Sequence, residues 1–133
     1  MGSIKTILSS LVLSAAVAPI GPAALSQSLI TSDPLQFFAT CAGRLSAEME
    51  FQWMFDGAAA DRISQERLAV LDIIDAMMPP DQGRTVLNWR VEAKMAQAAL
   101  LTQATFATQD RRADNARTLA LRNVESCRAQ LLS

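Results

Sequence analysis

The sequence predicts an all-α fold: a four-helix up-down-up-down bundle with one disulfide, preceded by a signal peptide. Three observations lead there. Five Gly and five Pro, some of them in the leader or at segment joints, leave long stretches of good helix formers uninterrupted. Apolar residues within those stretches recur at spacings of three and four. The chain carries two cysteines, Cys41 about two turns into the first expected helix and Cys127 about one turn from the end of the last. Its 133 residues are enough for one domain with a modest core.

The leader has the order that export requires. Lys5 is the only charge in residues 1–6, an apolar run fills 7–18, and Pro19-Ile20-Gly21-Pro22 breaks it before Ala24-Leu25-Ser26. Small residues at Ala24 and Ser26 put cleavage before Gln27, which divides the chain into a signal peptide, 1–26, and a single helical domain, 27–133. The apolar run stops at about a dozen residues, short of the ~20 that span a bilayer, so no stable membrane anchor is expected after cleavage. A periplasmic or secreted protein follows, and an oxidising compartment turns Cys41 and Cys127 into a disulfide.

Thr31-Ser32-Asp33-Pro34-Leu35-Gln36 is a helix start: Asp33 is the N-cap, Pro34 takes the first helical position, and Gln36 stands where a capping box needs it. Leu35, Phe38, Ala42, Leu45, Met49 and Trp53 give the first helix one apolar face, running to Phe55 or Asp56. Asp61 or Ser64 is expected to cap the second helix, with Ile63, Arg67, Val70, Leu71, Ile74, Met77 and Met78 inward and Pro79-Pro80 ending it. Asp81 is expected to cap a third helix reaching Ala107, and Thr108 or Asp110 a fourth carrying Ala113, Ala116, Ala120, Val124, Cys127 and Leu131.

The cysteines test that count. Short connections make consecutive helices antiparallel, so the start of the first and the end of the last share one end of the bundle only when the number of helices is even. Closing so long a loop stabilises a small domain by about 4 kcal/mol in the chain-entropy treatment.

Composition removes several function classes. With no His, and Lys94 the only lysine after the leader, haem ligation, His-containing zinc or di-iron sites and the usual general base are not offered. No catalytic residue, cofactor or metal is therefore expected, and the chain is not read as an enzyme. Asp72 and Asp75, with Asp81 beyond, are the strongest oxygen-ligand set, but their spacing also suits the solvated face of a helix. Charge divides sharply: residues 27–83 hold nine Asp/Glu against three Lys/Arg, and residues 84–133 hold four against eight. That division reads as pairing between the two halves or as a basic surface for an acidic partner. With no basic run beyond Arg111-Arg112, nucleic acid is not expected.

The third helix has two apolar stripes. Leu87, Val91, Met95, Ala98 and Leu101 are read as the inner one; Trp89, Ala93, Ala96, Leu100 and Ala104 make a second, nearly opposite. Phe51 and Phe55 extend the surplus at the end of the first helix. The expectation is an exported interaction module or accessory subunit that binds a protein partner or forms a homodimer through Phe51, Phe55, Trp89, Ala93, Ala96, Leu100 and Ala104. The alternative is internal burial of these residues under the end of the first helix and residues 57–63. A different class of function is a carrier or chaperone-like module holding a small apolar ligand or unfolded segment among Met49, Met54, Met77, Met78 and Met95.

Overall fold

A computed structural model describes residues 33–132; the leader and its cleavage site before Gln27 lie outside the described residues. Within them the chain is all-helical, with α1 (Pro34–Gln52), α2 (Gly57–Met77), α3 (Gly83–Phe106) and α4 (Asp110–Leu131), and no strand.

Local chemistry accounts for the starts and stops. The Asp33 carboxylate accepts from the Leu35 backbone N–H at 3.0 Å, with Pro34 at the first helical position. α1 ends at Gln52, earlier than the expected Phe55, and α2 starts at Gly57 rather than near Asp61 or Ser64. The reason is Asp56, whose carboxylate accepts from the Ala59 backbone N–H at 3.0 Å and thereby caps the good helix formers Ala58-Ala59-Ala60. Asp81 does not cap α3, which follows Gln82 without a side-chain cap, and α4 likewise follows Gln109 without one.

α1 is the centre of the structure, packed against α2, α3 and α4. Its buried residues, Leu35, Ala39, Cys41, Ala42, Gly43, Leu45, Ser46, Ala47 and Met49, spread over about 240° of the helix instead of the single expected face. Small side chains make this arrangement workable, because three neighbours must approach one axis. α3 approaches closely at Gly43, where an added Cβ would collide with the Arg90 carbonyl oxygen and stand 2.9 Å from the Cβ of Ala93 and 2.9 Å from the Lys94 backbone nitrogen. Only glycine fits there.

The main core joins α1 to Ala60, Ile63, Val70 and Ile74 of α2, Val86 of α3, and Val124 and Cys127 of α4. A second cluster, Ala47, Leu101 and Ala120, sits where α1, α3 and α4 meet, with Phe51, Ala98 and Leu100 against it. α2 and α3 flank α1 without packing on each other: no Cα of one comes within 8 Å of a Cα of the other.

The expected disulfide is present. Cys41 and Cys127 are buried and bonded, with Cα atoms 5.5 Å apart across a sequence separation of 86. A loop of that length removes about 4 to 5 kcal/mol of denatured-chain entropy in the loop-closure treatment. Replacing both, Cys41→Ser with Cys127→Ser, is expected to lower the unfolding free energy by about 2 to 5 kcal/mol while leaving far-UV circular dichroism nearly unchanged. Gly43→Ala is expected to lower it by about 1 to 3 kcal/mol in denaturant titration, because the collision with α3 outweighs the ~1 kcal/mol that alanine gains in an isolated helix.

Candidate interaction surface

The separation of α2 from α3 leaves a recess over α1. Its floor is Gly43, Ser46, Met49 and Glu50; Arg67 stands on the α2 side and Leu87, Arg90, Val91 and Lys94 on the α3 side. Two polar links hold its edges. The Arg67 Nε donates to the Ser46 Oγ at 2.8 Å, and that hydroxyl donates in turn to the Ala42 carbonyl at 2.7 Å, one turn back along α1. Across the floor, the Lys94 Nζ donates to the Glu50 Oε1 at 2.6 Å. Arg67 and Arg90 have no carboxylate within 4.0 Å among the described residues. The recess thus has three cations against one carboxylate.

The outer lip is apolar. Leu87, Val91 and Met95, which the periodicity assigned to the inner face of the third helix, are 53%, 51% and 65% exposed. The side of α3 that meets its neighbours carries Val86, Ala93, Gln97 and Leu101 instead. Helix contact decides this rotation: α3 must present a small residue, Ala93, where its backbone crosses Gly43, and the larger aliphatics are turned outward.

The sequence-predicted surface residues are distributed by the same rotation. Trp89 is half-buried against the main core, Leu100 half-buried against the second cluster, and Ala93 lies at the Gly43 crossing. Ala104 is half-buried, and its carbonyl accepts from Arg117 Nη2 at 3.1 Å. Ala96 is exposed. Phe51 packs on the second cluster with its ring centroid 4.8 Å from that of exposed Phe55, beside exposed Trp53 and Met54. The covering of Trp89, Ala93 and Leu100 comes from the core clusters and the α1 crossing.

The polar interior also differs from the sequence reading, which singled out no buried amide. Gln97 is 1% exposed; its Nε2 donates to the Ala120 carbonyl at 3.1 Å and its Oε1 accepts from the Asn123 Nδ2 at 3.0 Å. On the other flank, Arg128 donates through Nε to Glu66 at 3.0 Å and through Nη1 to Glu125 at 3.0 Å. Burial alone would lower the Arg128 pKa, but hydrogen bonds and charge from these two carboxylates raise it. Half-buried Arg44 is lowered by burial. Of the ion pairs, Lys94–Glu50 and Arg128–Glu66 join the acidic half of the sequence to the basic half.

Other chemistry finds less to work with. Among the described residues, no group of three or more His, Cys, Asp or Glu is placed to hold a metal ion, Asp72, Asp75 and Asp81 included. No described helix is long and apolar enough to cross a membrane. A crevice of about 410 Å³ between α1, α3 and α4 has Phe51, Leu101, Ala104, Ala120 and Leu121 as its apolar lining and Glu48 and Arg117 among its polar residues. Met49 is buried, Met78 half-buried, and Met54, Met77 and Met95 are exposed. No protein-family model matches the chain, and neither does any curated protein or solved structure.

The two sides of α3 respond oppositely to charge. In the monomer, at protein concentrations low enough to exclude association, Val91→Glu or Met95→Glu is expected to shift the unfolding free energy by no more than about 0.5 kcal/mol, as at other exposed positions. Ala93→Glu forces bulk and charge into the Gly43 crossing and is expected to cost about 2 kcal/mol or more. Chemical denaturation of the three variants measures the contrast.

Proposed function

We propose that this chain is an exported interaction module: a signal peptide, 1–26, is removed before Gln27, and a disulfide-bonded bundle with helices alternating in direction binds another protein chain in the periplasm or outside the cell. The observation that carries the reading is the exposed apolar row Leu87, Val91 and Met95 beside the cationic recess. Three large aliphatic side chains on one helix surface, next to two guanidinium groups without a carboxylate partner among the described residues, are costly to leave in water and are features of a surface that docks something. The buried Cys41–Cys127 bond supports an oxidising destination. Short connections between the helices, and the pairings of Gly43 with Arg90 and of Glu50 with Lys94, which ascend together along α1 and α3, support the alternating directions. The fixed cross-link and the glycine crossing give a rigid platform, which limits the ordering cost of association.

One experiment tests both halves of this reading. The tagged full-length chain is expressed in a bacterial host, recovered from the envelope, weighed intact, and analysed for associated protein in parallel with Val91→Glu. The expected mass begins at Gln27, and the expected association falls at least tenfold in the variant at unchanged helix content. A mass that retains residues 1–26 overturns export with cleavage; association unchanged by Val91→Glu overturns this surface as the binding site.

A further inference from the structure

We propose that the partner seated on this surface is a second copy of the same chain, with α2 of each copy lying on α3 of the other about a two-fold axis parallel to the recess. This inference rests on the interaction-module reading and adds the identity and geometry of the partner.

The argument starts from α2. Arg67 faces the recess and Ser46, while Glu66, one step back around the helix, bonds to Arg128 of α4. One step forward from Arg67, on the flank away from α4, is exposed Leu68. At 100° per residue, Asp61, Leu68, Asp72 and Asp75 fall within about 60° of one another. All four are exposed, and none of the three carboxylates has an ion-pair partner among the described residues. α2 therefore offers an acidic row centred on one leucine.

The opposite lip is its counterpart. Arg84, Leu87, Val91 and Met95 fall within about 80° of one another on α3, and exposed Arg84 has no carboxylate partner among the described residues. Arg90 and Lys94 line the recess just inside. One face of the molecule thus presents an acidic helix and a basic helix side by side, each with exposed aliphatic side chains.

Charge selects the symmetry. A two-fold axis across the recess would lay α2 on its own copy, acid against acid, and α3 on its own copy, base against base. A two-fold axis along the recess lays α2 on the partner's α3 and repeats that contact on the other side, an isologous arrangement in which both contacts are complementary. It also preserves the height of each residue along the bundle. Arg67, Ser46, Arg90 and Lys94 border the same recess, so Leu68 comes opposite the Val91 to Lys94 level. Asp72 and Asp75, further along α2, then come opposite the Arg84 and Leu87 level, and Asp61 toward Lys94 and Met95.

Exchanged charges test the pairing. Asp72→Arg with Asp75→Arg makes one variant protein and Arg84→Glu another; all three sites are exposed, and circular dichroism with thermal unfolding checks that each folds. Sedimentation equilibrium of the disulfide-intact mature chain is expected to give a dimer for the parent protein, weakened at high salt, with each variant alone at least tenfold weaker. An equimolar mixture of the two variants is expected to recover the parental dimer, because one copy's new arginines meet the other's new glutamate while the unchanged pair remains complementary. A monomeric parent, variants that dimerise like the parent, or a mixture that stays monomeric overturns the proposal. Association with another envelope protein that Val91→Glu still disrupts would, alongside a monomeric parent, leave the interaction-module reading intact while removing the second copy from it.

Discussion

A helix packed by three neighbours has to be made of side chains small enough for them to share one axis, and this condition on α1 governs the rest of the domain. Ala39, Ala42, Gly43, Ser46 and Ala47 leave little volume between α1 and what surrounds it, so α3 closes to backbone contact at Gly43 and α4 is near enough for Cys127 to reach Cys41. With α1 filling the middle, α2 and α3 are held apart. The recess between them and the outward rotation of Leu87, Val91 and Met95 are both consequences of that crowding.

Dense apolar packing alone specifies a structure poorly, because similar small side chains tolerate sliding. Buried hydrogen bonds add direction to it. Gln97 satisfies the Ala120 carbonyl and is itself satisfied by Asn123, so a shift of α3 along α4 would strand a buried amide at a cost of about 1 to 3 kcal/mol. Ser46 acts similarly between α1 and α2 by accepting from Arg67, and Arg128 ties α4 to Glu66 of α2. Three inter-helix relations, α3 with α4, α1 with α2 and α2 with α4, thus carry a directional bond besides their packing. No buried side-chain nitrogen or oxygen among the described residues is left without a partner.

Much of this was legible where the determinants are local. Asp33-Pro34 announces a helix start from its own chemistry, Pro79-Pro80 ends a helix wherever it occurs, and two cysteines admit one intramolecular pairing. The four helices and the disulfide followed. Asp56-Gly57 was harder, because the same pair can close one helix or cap the next, and only the Ala59 amide bond distinguishes these. The orientation of α3 was not legible. Its two apolar stripes are both good inner faces by periodicity, and size favours Leu87, Val91 and Met95; the choice is made by Gly43, about fifty residues earlier, which demands Ala93 at the crossing. The density of small residues in 39–47 is the signal that could have revealed a central helix. Gln97 carried no comparable signal, since a glutamine in an otherwise mixed helix is ordinarily a surface residue. The division of charge was visible in the sequence, but which carboxylates pair internally depends on three-dimensional proximity: Glu50 and Glu66 are taken by Lys94 and Arg128.

The bond between Cys41 and Cys127 also turns most of the domain into a covalent ring, and a ring responds to cutting differently from a line. The connections between helices, at residues 53–56, 78–82 and 107–109, all lie inside it. A protease that cleaves any one of them opens the ring but releases no fragment, so the pieces keep a high effective concentration and the core keeps its contacts. Loops that would otherwise be the vulnerable points of a small helical protein become places where a single nick is survivable. Damage becomes dispersive only with a second cut or with reduction of the bond.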